Sequence, residues 1–205
     1  MKDLYLGTAS FGMNYGITNK NGHVHEQEVK EMIRFAENSN INGLDTAAAY
    51  GNAEDLIGEY TKNNDKLKIS TKMQNQERHE FKNEDVRQWE QMFEEQLQRL
   101  KRNSLDTYML HSVEELKKPG SEILLDWLFN IKRRGKIRRL GLSIYDISDL
   151  ESVDLSLFDV IQGPSSIYDQ RLGNDVFINI KNKYSLSFQA RSIFLQGLIL
   201  QPTIH

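Results

Sequence analysis

Apolar, strand-like runs alternate with amphipathic, helix-like stretches along the whole chain, and this rhythm limits the fold more than any other feature. Runs at 4–8, 43–46, 68–72, 106–111, 138–143, 159–162 and 187–191 read as strands. Between them, 26–39, 53–63, 84–101, 121–135, a shorter 147–152, and 174–184 carry helical spacing. In the stretch 121–135, Ile123, Leu124, Trp127, Leu128 and Ile131 make one apolar stripe, and Lys132 to Arg134 supply the positive charge that a helix C-terminus favours. Trp89, Phe93, Leu97 and Leu100 make a second stripe, read as core. Parallel strands require crossovers of this kind, so the pattern predicts an α/β fold with a parallel sheet.

Such units either wind an open sheet or close into a (β/α)8 barrel. The first strand is followed by "LGTASFG", which has neither the glycine spacing of a dinucleotide-binding turn nor a helix straight after it. The barrel is therefore preferred. Barrels usually need about 250 residues, with a lower range near 200. Seven strands in 205 residues leave the eighth βα unit unaccounted for, so the expectation is a single, incomplete barrel domain over 1–205. Strands one and seven would then have open edges, which invite self-association.

Composition narrows the function classes. A chain with 39% hydrophobic and 27% charged residues and no Pro- or Ser-rich linker is not disordered. It has no cysteine, which excludes disulfides and thiolate chemistry. A net charge of −3 gives no reason to expect a nucleic-acid or membrane partner. Neither a signal-peptide core nor an apolar run of ~20 residues is present, and a cytoplasmic location is expected. The basic run "KRRGKIRR" straddles a helix end and a strand start and reads as solvated charge, not a nucleic-acid patch. "HVH" at 23–25 has no third ligand nearby, so no metal is expected.

Catalytic groups of a barrel gather at the C-terminal ends of its strands. Asp45 ends the second strand, Tyr50 follows in its loop, Lys72 ends the third strand and His111 the fourth. Adjacent strands are about 4.8 Å apart, so these four side chains would share a pocket. A lysine beside a tyrosine favours phenolate, an aspartate would hold that lysine charged, and a histidine could orient a carbonyl oxygen. Together they suit proton donation to a carbonyl that is being reduced. A Schiff-base role for Lys72 would need a neutral amine, which Asp45 opposes.

With the motifs "GLDTAAAYGNAEDLIGE", "ISTKM", "LDTYMLHS", "GKIRRLGLS", "FDVIQGPSSIYDQR" and "ARSIFLQGLI" in this order, the sequence resembles the aldo-keto reductase family, in particular bacterial members, some from polysaccharide gene clusters. The resemblance implies a TIM barrel that reduces an aldehyde or ketone, sugar-derived carbonyls among them, using NADPH, with NADH as the alternative. It makes Tyr50 the general acid, tuned by Lys72 and Asp45, with His111 orienting the substrate. It carries cofactor contacts to Ser10, Ser143, Gln162, Arg191, Ser192 and Gln196. The Ser-Asn pair expected to hold the nicotinamide carboxamide reads Ser143-Ile144 here, so half of that grip is absent or comes from Tyr145. At the position of the ring-stacking aromatic stands Arg191, whose planar guanidinium can stack instead. With the eighth unit missing, weak NADPH binding and slow turnover are expected. The rival is a catalytically weak nicotinamide-binding or regulatory protein of the same fold.

Overall fold

Each strand is a short apolar run whose backbone finds its hydrogen bonds only in its neighbours, and all seven pair in parallel in chain order. They are β1 (Tyr5–Gly7), β2 (Gly43–Asp45), β3 (Lys68–Met73), β4 (Leu105–Leu110), β5 (Ile137–Ser143), β6 (Val160–Pro164) and β7 (Ser187–Arg191). The structure, a computed structural model, describes residues 3–201 except 63, 64 and 152. Among the described residues, six α-helices accompany the strands: α1 (Ala9–Gly12), α2 (Glu26–Glu37), α3 (Ala53–Tyr60), α4 (Asp85–Leu100), α5 (Ser121–Arg133) and α6 (Asp175–Lys183). The unbroken order of neighbours is that of a barrel wall and not of a doubly wound sheet, whose strand order reverses.

The main core lies between strands and helices. Both stripes read from the sequence face it: Trp89, Phe93, Leu97 and Leu100 from α4, and Leu124, Trp127, Leu128 and Ile131 from α5 are buried, with Ile123 at the margin. Strand alternation divides the polar residues of β3 between two environments. Thr71 faces the helices and donates to Glu54 of α3 at 2.7 Å, whereas Lys72 points inward to Asp45. The Glu54 carboxylate is almost fully buried and also accepts from Gln96 at 2.9 Å and from two nitrogens of Arg99 at 3.1 and 2.9 Å. Gln96 in turn accepts from the Tyr108 hydroxyl, so one polar network joins α3, α4, β3 and β4. The two helices approach so closely that a Cβ on Gly58 would lie 1.9 Å from the Arg99 carbonyl oxygen.

Three details depart from the sequence reading. A one-turn helix, α1, does follow β1 directly; four residues are too few to show a period, and it is held by Phe11, buried, and by the Met13 N–H bonding to Ala9. Strand β6 runs on through Gly163 and Pro164, because a proline at a strand end loses no ladder bond it needs. The stretch 147–152 is a short 3-10 turn, Ile147–Leu150, started by a capping box on Asp146; residue 152 lies outside the described residues, as does residue 63 at the end of the expected helix 53–63.

Among the described residues, β1 and β7 each have a partner on one side only. Loops tie them at the top. Gln196, beyond β7, accepts through its side chain from the Ile17 N–H at 3.1 Å and through its carbonyl from the Thr18 hydroxyl at 3.0 Å. At the bottom, the basic run is largely paired: Lys132 with Asp159, Arg134 with Glu90, Lys136 with Glu94, and Arg138 and Arg139 with Asp106. No described helix is long and apolar enough to cross a membrane.

Candidate active site

Asp45 closes β2, and its carbonyl takes both the N–H and the hydroxyl of Thr8 at 3.0 Å. Its carboxylate oxygen Oδ1 accepts from Lys72 Nζ at 2.9 Å and from Gln162 Nε2 at 2.9 Å. The Lys72 ammonium, 1% exposed, also donates to the Thr46 carbonyl at 2.8 Å. The buried cation thus gives two of its three N–H groups to oxygen partners in exchange for water.

The loop after β2 brings Tyr50 above this pair. The Tyr50 N–H bonds to Ala47, and the Tyr50 carbonyl takes the Ala53 N–H that opens α3. Two glycines let the loop sit against α1: a Cβ on Gly12 would come 2.0 Å from the Tyr50 carbonyl oxygen, and one on Gly51, where φ is +56°, would come 2.3 Å from the Gly12 oxygen. Lys72 Nζ lies 5.6 Å from the centre of the Tyr50 ring, on its face. His111, one residue past β4, meets the same ring edge-on with centroids 6.3 Å apart. All four expected catalytic side chains are therefore in one cluster.

The electrostatic balance differs from the expected one. Burial, then the Asp45 carboxylate, then Tyr15 push the Tyr50 phenol above its ordinary range, with Arg191 pulling the other way. The expected lowering by Lys72 is not seen, since its charge is matched by Asp45 and faces the ring, not the hydroxyl. Burial, followed by the charges of Lys72 and Arg191, holds His111 down to about 4. It is thus a neutral imidazole near neutrality. The unfolded chain, with the ordinary value of 6.5, binds a proton at this residue that the folded chain refuses, so stability falls as pH drops from about 6.5 towards 4. Replacing His111 by glutamine should make urea stability less sensitive between about pH 7 and pH 5; equal losses in parent and variant would assign the acid sensitivity elsewhere.

The residues expected to bind cofactor do not all join this cluster. Ser143 and Gln162 are paired in register at the top of β5 and β6, beside Asp45. The Gln162 amide must turn its nitrogen to Asp45, because the reverse would set two acceptors together, and its buried Oε1 has no partner. Ile144 is fully buried, and its side chain offers no polar contact. Tyr145 is mostly exposed, and the Arg191 guanidinium stacks on its ring at 4.4 Å while bonding to the Ile144 carbonyl at 3.2 Å. Ser192 and Gln196 hold left-handed backbone in the turns after β7. Ser10 belongs to α1, not to a strand end, and with Gln196 it lines a separate hollow beside α2 and the loop carrying His23 and His25. A larger groove between α4 and α5, lined by Trp127 and Phe129 among others, is also remote from the cluster. The sequence reading missed Thr8, the two glycines and the Tyr145–Arg191 stack; only the glycines beside Tyr50 and Phe11 had left a signal, as turn residues.

A model of the aldo/keto reductase family matches residues 3–202. No curated protein matches the chain. Among solved structures, an aldo-keto reductase from Bacillus halodurans in its holo form has a TM-score of 0.75 and 20% identity, covering 99% of this chain and 66% of that one. An aldo-keto reductase from Klebsiella pneumoniae in complex with NADP and acetate has a TM-score of 0.74 and 21% identity, covering 96% of this chain and 66% of that one. The Klebsiella pneumoniae aldo-keto reductase in complex with NADPH has a TM-score of 0.73 at 21% identity with the same coverage, 96% and 66%. The chain thus spans about two thirds of the length of these relatives, and likeness at such identities speaks for the fold.

Proposed function

The chain belongs to the aldo/keto reductase family, and from that premise we propose that it reduces a small aldehyde or ketone with a nicotinamide cofactor, Tyr50 giving the proton. The observation that carries this is the chain of contacts beneath Tyr50, in which Gln162 and Lys72 converge on Asp45 while Lys72 lies under the phenol ring. NADPH is the favoured cofactor, given the NADP-bound relatives of the same fold, with NADH as the alternative.

The residues present fit the nicotinamide end of such a cofactor. A buried amide oxygen without a partner, on Gln162, whose register partner on β5 is Ser143, suits a carboxamide, which brings both a donor and an acceptor. Arg191, Ser192, Gln196 and Ser10 remain the proposed contacts farther along, Arg191 through the guanidinium face not covered by Tyr145. Reduced nicotinamide supplies the hydride when bound. The chain's own part is the oxygen. Neutral His111 donates an N–H to the carbonyl oxygen and aligns it, and Tyr50 passes its proton to the same oxygen as negative charge builds there. A raised phenol keeps that proton in place until the developing alkoxide, a stronger base, takes it. Lys72 then faces the phenolate ring and offsets its charge, while Asp45 keeps the ammonium fixed.

The test is oxidation of NADPH with a panel of aldehydes. Turnover carried by Tyr50 supports the reductase; cofactor binding with no turnover on any aldehyde would replace it with the nicotinamide-binding rival. Self-association through the free edges of β1 and β7 belongs to the same proposal, and sedimentation that stays monomeric as concentration rises would remove it. A cytoplasmic location is kept as part of the proposal.

A further inference from the structure

Arg191 is the one cation near the catalytic cluster without a carboxylate of its own among the described residues. Lys72 is taken by Asp45. The neighbouring Asp169 is gripped by Arg171, at 2.9 Å through Nε and 2.8 Å through Nη2. The Arg191 guanidinium itself bonds, among the described residues, only to the Ile144 carbonyl, through Nη2, and rests on Tyr145. These two contacts span from the end of β7 to the residues just past β5 and fix the guanidinium plane. Its charge acts on both Tyr50 and His111. A half-buried, oriented guanidinium with donors left over is a receptor for a carboxylate, which it can grip with two parallel N–H bonds.

We propose that Arg191 selects substrates in which the carbonyl group is accompanied by a carboxylate a few bonds away, and that Tyr145 positions it for this. The proposal rests on the reductase reading above and names its substrate class as oxo acids and semialdehyde acids. The ring stack holds one face of the guanidinium, the Ile144 carbonyl holds one N–H, and the remaining edge meets the acid group while His111 and Tyr50 meet the carbonyl oxygen. The cofactor's phosphates offer the same anionic chemistry, so the test has to separate the two sources.

The experiment compares kcat/KM for para-carboxybenzaldehyde and para-methylbenzaldehyde in the parent chain and in Arg191→Met and Arg191→Lys. The readout is the acid-to-neutral ratio, from which any common loss through weaker cofactor binding cancels. The expected ratio is roughly tenfold or more above unity in the parent, near unity in Arg191→Met and intermediate in Arg191→Lys. A parent ratio near unity overturns the proposal. So does a ratio unchanged by Arg191→Met together with weaker NADPH binding, which would make Arg191 a phosphate contact. Calorimetry with para-hydroxymethylbenzoate and its neutral methyl analogue repeats the comparison without turnover. Arg191-dependent binding of the benzoate alone, with neither aldehyde reduced, would sink the reductase but keep the carboxylate site; turnover of the neutral aldehyde with no such binding would sink the site and keep the reductase.

Discussion

Replacing Tyr50 by phenylalanine should lower the rate of NADPH-dependent aldehyde reduction by roughly 10²–10⁴-fold while moving stability to urea by no more than about 0.5 kcal/mol. The two halves of this expectation have separate causes. The Tyr50 hydroxyl makes no hydrogen bond to another described residue, so its removal leaves no buried partner stranded. The ring stays, and with it the contacts to Lys72 and His111. What is lost is the one proton held close to the oxygen that turns basic. Steady-state kinetics beside a denaturation curve measure both. A variant as active as the parent would move proton donation to another group, His111 being next in the cluster.

Glu54→Ala should cost about 3–5 kcal/mol, the range for removing one member of a buried ion pair. Glu54 is 1% exposed and collects hydrogen bonds from Thr71, Gln96 and Arg99, so truncation leaves all of these donors facing a dry gap. Part of the Arg99 side chain, 33% exposed, can turn to water, which favours the lower end of the range. A double variant with leucine at both 54 and 99 should regain much of the loss, because two apolar side chains need no partners. Urea unfolding of the single and double variants decides it. A single variant within about 1 kcal/mol of the parent would mean that water already reaches the network. The consequence also touches chemistry, since Gln96 holds the Lys72 carbonyl at 3.3 Å and so helps seat the strand that presents the ammonium.

The wall of the barrel was legible because each strand is a separate apolar run and each crossover has a wide apolar stripe. Element ends were harder, for local reasons. At the end of α3 the Thr61 hydroxyl and N–H both bond to the Ile57 carbonyl, at 2.7 and 2.9 Å, a side-chain contribution to the cap that spacing does not display. Gly163-Pro164 looks like a turn and is the end of β6. The convergence of the four candidate residues was legible, their electrostatics not. That Asp45, Tyr50, Lys72 and His111 converge follows from their places at strand ends, whereas the direction in which Tyr50 is driven depends on burial and on which carboxylate claims Lys72. The cofactor side was least legible. Whether Tyr145 replaces an asparagine or supports Arg191 depends on two loops that are 46 positions apart in the chain and touch only in the fold.

Gln162 has a role that its place in the wall does not suggest. Its nitrogen holds the carboxylate that anchors Lys72, and its oxygen is left facing the place proposed for a carboxamide. One planar amide would therefore have an end in each half of the proposed reaction. Groups joined through a shared amide polarise one another, and a coupling between two binding events is the same read from either side. If the carboxamide pulls on the oxygen, the N–H leans harder on Asp45, and the acid that serves the substrate is retuned by the arrival of the reductant. In the proposed reaction the protonation of the cluster would then be set jointly by its own residues and by the docked cofactor.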